Sequence, residues 1–329
     1  MKFKKTLFFA AIICFAASSS FAASLTLRFG TPFVTNSNLH KAMLKFAEIV
    51  EQESKGEIKV QVYADSQIGD ILQLVSGMQL GTVDMAYLGV ANAGQVKGGA
   101  PLNVSYVPYL YKSKAKATEI LNGPIFKDMY ENLAKQSGLR IFAVAGARSP
   151  RAIVTTKGPI NKPEDLKGMR LRIPPIEMFR GMFEQVGVKV VPLGLNDVYM
   201  AISRGQVEGQ DNGFDLTLSF RFHEVSKYWS ATDHVFDVAA WYISEKRWKT
   251  LTPEKQALFI KAAQAGGKLA TELGEDIDKQ GREDLKKMGV TYVEPDIAAF
   301  HNAWKDVHKP YEEKGMWPKG LVDKIRAMQ

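Results

Sequence analysis

The spacing of apolar residues in this 329-residue chain switches again and again between two and about 3.6, a rhythm that alternating strands and helices satisfy. Leu25, Leu27 and Phe29 alternate as a strand, and Leu39, Met43, Phe46 and Val50 follow a helical stripe. Gly56 stops that helix, and Ile58, Val60 and Val62 alternate again. The opening therefore reads as a βαβ unit. A helix over Ile71–Leu80 closed by Gly81, a strand near Val83–Leu88, one helix over about Ala115–Gln136 ended by Gly138, and a strand over Leu139–Ala145 continue the pattern. An extended segment at Met169–Ile173, a helix at Ile176–Val186 and a strand at Val188–Val191 repeat the unit. In the extended segment Leu171 and Ile173 alternate with Arg170 and Arg172, so both arginines leave the strand on the face opposite their apolar neighbours.

The segment from Thr252 to Met288 is different. Thr252 suits a helix N-cap and Pro253 the first helical position, no later proline interrupts, and Gly289 supplies the stop. As one helix it would run roughly 55 Å at 1.5 Å per residue, longer than a single domain of this size is wide. Gly266, Gly267 and Gly274 each cost about 1 kcal/mol against alanine, so two stacked helices are the alternative to one helix spanning two lobes, which is the preferred reading. A short strand at Thr291–Val293 leads to a last helix with Ile297, Phe300, Trp304, Val307 and Tyr311 on one face. There is no tandem repeat and no low-complexity linker. Two α/β lobes without a flexible linker imply that the chain crosses between them more than once, and ligands of such folds lie in the crevice between lobes.

The N-terminus sets the compartment. Lys2, Lys4 and Lys5 precede an unbroken apolar run from Leu7 to Ala17, and Ser20-Phe21-Ala22 follows with small residues where a signal peptidase reads. This order reads as a secretory signal peptide cleaved after about Ala22, and it sends the mature chain to the bacterial periplasm. The run is too short for a permanent anchor, and no later apolar stretch approaches the roughly 20 residues a membrane helix needs. The single cysteine, Cys14, lies inside the run behind Ile12 and Ile13, which does not suit lipid attachment. The mature chain is therefore expected to lack disulfides, thiolate metal sites and a cysteine nucleophile. Loss of the three leader lysines lowers the formal charge from +8 to +5, and the remaining basic residues are interleaved with acids, which argues against a nucleic-acid partner.

Enzymatic constellations are missing. The sequence has no GxSxG elbow, HExxH pair or GxxxxGK[ST] loop, and Gly98-Gly99 lacks the lysine and hydroxyl that a phosphate loop requires. His301 and His308 are seven apart on one helical face but have no third ligand at matching spacing, so no metal and no cofactor are expected. Arginine in extended segments near a lobe junction does stand out: Arg148 and Arg151 in GARSPRAIVTT, Arg170 and Arg172 in LKGMRLRIPP. A guanidinium presents a planar fork of donors that matches both oxygens of a carboxylate, although surface salt bridging is the ordinary use of any one of them.

Around those arginines lie longer motifs: PINKPEDLKGMRLRIPP, VGVKVVPLGLNDVYMAISRGQVEGQDNG, FHEVSKYWSATDH and WKTLTPEKQ, with ADSQIGDILQLVSGMQLGTVDMAY nearer the start. In this order, over nearly the whole mature chain, they resemble the solute-binding subunit of tripartite ATP-independent periplasmic (TRAP) transporters, the DctP-like family. The resemblance implies a two-lobed α/β periplasmic binding protein fold, with chain crossovers between the lobes, one long helix spanning both, and closure on ligand. Lobe I is expected to comprise 23–146 plus 234–270 and lobe II 147–233 plus 271–329. The resemblance also implies a small organic carboxylate as ligand and a sodium-driven membrane permease as partner. The family's carboxylate-clamping arginine falls on Arg172, its assisting arginine on Arg151 with Arg148 as substitute, and its polar asparagine on Asn212.

Four positions depart from the family pattern. Gly213 stands where proline usually follows the asparagine, which suggests a looser backbone, and Leu195 replaces the aromatic residue of sialate binders. Ile71 and Gly89 replace polar groups expected of sialate sites, which favours a smaller or less polar monocarboxylate or sugar acid. Asn38, Gln67 and Tyr87 on the first lobe, with Asp237 and Trp241 near the hinge, are further ligand contacts expected from position. A monomer is the plainest expectation. A binding protein of another importer class, a ligand sensor for a signalling kinase and, as a different class, a periplasmic enzyme are the competing functions.

Overall fold

The computed structural model describes residues 25–329; the leader assignment lies outside the described residues. The strands are β1 (Leu25–Gly30), β2 (Ile58–Tyr63), β3 (Met85–Gly89), β4 (Leu139–Ala147), β5 (Ala152–Thr155), β6 (Arg170–Ile173), β7 (Lys189–Pro192), β8 (Gly209–Asn212), β9 (Tyr228–Ser230), β10 (Val238–Ser244) and β11 (Thr291–Val293). They form two sheets, one ordered β2-β1-β3-β10-β4 and the other β11-β9-β5-β8-β6-β7. The helix Asn38–Glu53 joins β1 to β2, which pair in parallel from Leu25 opposite Ile58 to Gly30 opposite Tyr63. Leu39, Met43, Phe46 and Val50 on that helix are all fully buried, as their spacing predicts.

Each sheet is the centre of one lobe, and the order of strands shows how the chain travels. Strands β1 to β4 belong to the first sheet, β5 to β9 to the second, β10 to the first again and β11 to the second. The chain therefore crosses three times: between Ala147 and Ala152, between Ser230 and Val238, and through the helix that leads to β11. The first two crossings run side by side. Arg148 N–H donates to Asp237 O at 3.0 Å, Arg151 N–H to Val235 O at 3.1 Å and His234 N–H to Arg151 O at 3.3 Å, so they make a short two-stranded ribbon between the lobes.

The third crossing is one unbroken helix, Pro253–Lys287, with the Thr252 hydroxyl accepting from Lys255 N–H. At 1.5 Å per residue it is about 52 Å long. Its glycines do not break it, because they are where other parts of the protein come closest. A methyl group at Gly267 would overlap Ala145 of β4, and one at Gly281 would lie 2.5 Å from the Phe214 ring of the second lobe. Close packing along the stripe offsets the helix propensity that glycine lacks.

Two helices expected to be continuous are divided. The span over Ala115–Gln136 is Lys114–Leu121 followed by Pro124–Ser137, because Pro124 has no N–H to donate back and its ring opposes the preceding turn. The last helix stops at Trp304, and a separate turn of helix, Lys309–Glu313, carries Tyr311, with Pro310 in its first turn. His301 and His308 consequently do not share a helix.

Candidate ligand-binding site

A narrow cavity lies between the lobes, against the crossing ribbon. The first lobe contributes Pro32 and Phe33 beyond β1, Ile71 at a helix start, Leu88 and Gly89 at the end of β3, Asn92 in the turn beyond it, and Tyr106. The second contributes Arg172 and Pro174 from the end of β6, Ile176 and Phe179, Leu195 beyond β7, Asn212 at the end of β8, and Leu216. The ribbon contributes Arg148, Arg151 and Asp237. Most of these positions are carboxyl ends of strands or the turns beyond them, where an α/β sheet opens its crevice.

The arginines differ in what already satisfies them. Arg148 Nη1 meets Asp237 Oδ2 at 2.5 Å and its Nε meets Asp215 Oδ2 at 3.3 Å. Arg151 Nε meets Asp211 Oδ2 at 2.8 Å, and its Nη2 donates to Asp211 O at 2.6 Å. Arg172 donates only to a backbone carbonyl, Leu193 O, from Nε at 3.0 Å and Nη2 at 2.7 Å. Among the described residues no carboxylate pairs with it, although the side chain is 2% exposed. Burial pushes the Arg172 guanidinium down to about 9, partly opposed by Asp211 and reinforced by Arg151. It stays cationic at neutral pH as a desolvated charge without a counter-ion.

The aspartates follow the same accounting. Burial works against ionisation of Asp211, but Arg151 and the His234 imidazole, 3.4 Å away, hold it below the usual carboxylate range. Burial raises Asp215, against the pull of Arg148. Asp237 accepts from the Tyr106 hydroxyl at 2.9 Å, and burial together with that aspartate pushes the phenol well up. Arg148 Nη2 is buried and has no hydrogen-bond partner.

Of the residues expected at the site from sequence, Arg172, Arg151, Arg148, Asn212, Leu195 and Asp237 line the cavity. Tyr87, Trp241, Asn38 and Gln67 do not. The Tyr87 hydroxyl and the Trp241 indole both donate to Ala145 O, and their rings pack 4.2 Å apart inside the first lobe. Asn38 donates to Ala270 O and ties the helix Asn38–Glu53 to the long helix, while Gln67 is exposed. Arg170, although on the same strand face as Arg172, is two residues nearer the strand start and bonds Gly205 O at the surface. Gly213 is not loose: a Cβ there would overlap Ser149, so the residue permits a close backbone approach beside the site. Sequence reasoning did not single out Tyr106, Asn92, Phe33 or Phe179, nor Asp211 and Asp215 as partners of the arginines. The alternation in GQDNG could have flagged Asp211, which points away from Asn212 along β8.

The rim is tied across the lobes. Asn196 Nδ2 donates to Asp65 Oδ1 at 2.8 Å, the Ser66 hydroxyl donates to Asn196 Oδ1 at 3.1 Å, and Gln95 Nε2 donates to Pro175 O at 2.6 Å. Asp65 and Ser66 sit at φ 56° and 57°, a left-handed pair that tertiary contacts must hold.

No described helix is long and apolar enough to cross a membrane, and no group of three or more metal-ligating side chains occurs among the described residues. Comparison with known proteins agrees with the architecture. Residues 29–314 match the model of a family described as bacterial extracellular solute-binding protein, family 7. A solute-binding protein of Roseobacter denitrificans is 33% identical over 306 residues, 90% of this chain and 91% of that one. A TRAP periplasmic solute-binding protein structure from the same species, with bound L-galactonate, superimposes at a TM-score of 0.84 and 28% identity, covering 92% of this chain and 98% of that one. Another from Bordetella bronchispeptica, with density interpreted as pantoate, gives a TM-score of 0.87 and 26% identity over 93% of this chain and 100% of that one. These are substrate-binding proteins and not enzymes.

Proposed function

Because the chain belongs to family 7 of the bacterial extracellular solute-binding proteins, we propose that it captures a small organic carboxylate in the periplasm and delivers it to a TRAP permease for sodium-driven uptake. The bound anions of its structural relatives, L-galactonate in one case, carry a carboxylate in common. One observation of this chain carries the reading: Arg172 is buried between the lobes with no carboxylate among the described residues beside it, while the two neighbouring arginines each have at least one. A ligand carboxylate supplies the missing counter-charge. Asn212 and the unsatisfied Arg148 Nη2 offer further donors at the same cavity. In this mechanism 23–146 with 234–270 and 147–233 with 271–329 close as two lobes about the crossing ribbon, and the ties at Asn196 and Gln95 belong to the closed form. The protein acts as a monomer.

Arg172→Ala is the test. Deleting one partner of a buried ion pair typically costs about 3 to 5 kcal/mol, so affinity for an acid found by thermal-shift screening should fall by two to three powers of ten or more. Titration calorimetry showing near-equal affinity for wild type and variant would remove the clamp and the reading built on it.

A further inference from the structure

Resting on that reading, we infer that the ligand is a monocarboxylate with a compact, mainly apolar body, and neither a dicarboxylate nor a polyhydroxylated sugar acid. The charge pattern argues for a single carboxylate. Four charged side chains line the cavity, and three of them, Arg148, Arg151 and Asp237, are already joined in the buried network with Asp211 and Asp215. Only Arg172 is left over. A second carboxylate would be buried with no free cation and within the same cavity as Asp237, which faces it as a like charge.

The hydrogen-bonding capacity argues for an apolar body. Both Asp237 oxygens are engaged, by Tyr106 and Arg148, and the Tyr106 hydroxyl gives its proton to that bond. Asn212 Nδ2 donates to Gln210 at 2.5 Å, and Asn92 Oδ1 accepts from Gly89 N–H at 2.7 Å. What remains for ligand hydroxyls is the Asn212 carbonyl and its second Nδ2 proton, the Asn92 amide nitrogen, one spare lone pair on each Asp237 oxygen, the Tyr106 oxygen as an acceptor, and the Arg148 Nη2 that the carboxylate itself would use. The rest of the wall is hydrocarbon, with Phe33, Ile71, Leu88, Phe179, Leu195 and Leu216 among its residues. A six-carbon aldonate brings five hydroxyls, and each one buried without a partner costs about tenfold or more in affinity. A branched body of four to six carbons with one or two hydroxyls fits the largely hydrocarbon wall of this narrow cavity.

The experiment is calorimetry on the mature protein with 3-methylbutanoate, 2-hydroxy-3-methylbutanoate, pantoate, L-galactonate, D-glucuronate and succinate, repeated on Leu195→Asn. At least one branched monocarboxylate is expected to bind tenfold or more tighter than the sugar acids and succinate. Adding an amide to the wall at position 195 is expected to narrow that ratio. Equal or tighter binding of a sugar acid or succinate overturns this inference and leaves carboxylate capture intact. A ratio unchanged by Leu195→Asn counts against the apolar wall as the source of selectivity. Failure of every acid to bind overturns the carboxylate reading itself.

Discussion

Arg172 was legible as a residue because a strand alternation puts it opposite Leu171 and Ile173, and because the RLRIP motif singles it out. Its difference from Arg148 and Arg151 was not legible, since the three aspartates that neutralise those arginines are 60 to 89 residues away along the chain. Tyr87 and Trp241 are near the site in sequence pattern but face the core, because neighbouring positions on β3 and β10 point to opposite faces. The same network makes a pH prediction. Burial holds His234 below its ordinary value of 6.5, against the opposing pull of Asp211. The unfolded chain therefore takes up a proton first as pH falls, so the stability this histidine supports is complete above about 6.5 and is lost on acidification through its lower folded value. His40 and His308 are lowered by burial too and add to the slope. Unfolding free energy from urea titration should drop between pH 7 and 5, and His234→Gln should make that drop shallower. An identical slope in the variant would mean that His234 titrates alike in both states.

Elements were read well where one period persisted and poorly where a proline sat inside it. The helix Ile71–Leu80 has the expected bounds, while the division at Pro124 was hidden under a continuous apolar stripe. The long helix presents the opposite case: its glycines looked like weak points, and only the packing explains why they are there. Gly267→Ala therefore gains about 1 kcal/mol of intrinsic helix propensity but must push Ala145 aside, and overpacking of this kind costs about 1 to 3 kcal/mol. The variant should lower the denaturation midpoint. Gly274→Ala, whose new methyl would lie 3.3 Å from the Asn38 amide, is expected to shift it much less. Equal effects of the two substitutions would show that propensity, not close approach, governs this helix.

At the scale of the molecule, the alternation of strands and helices announced two α/β lobes, and the missing linker announced repeated crossings. The pairing of two crossings into a ribbon had no signal, because the hydrogen bonds between Arg148–Arg151 and His234–Asp237 are made by backbone that any sequence carries. The rim ties were invisible for the same kind of reason, as Asn196 and Asp65 are 131 residues apart. If those ties belong to the closed form, Asn196→Ala removes two hydrogen bonds worth about 0.5 to 1.5 kcal/mol each, and ligand should leave roughly five- to 150-fold faster while arrival is little changed. Stopped-flow fluorescence would read both rates, and an unaltered departure rate would separate Asn196 from closure. The ribbon has a wider consequence. Under the proposed closure, Arg148, Arg151 and Asp237 are at once the wall of the receptacle and the pivot of the machine, so a substitution that changes what the protein chooses would also change how readily it bends. On that mechanism, selection could not adjust taste and motion one at a time.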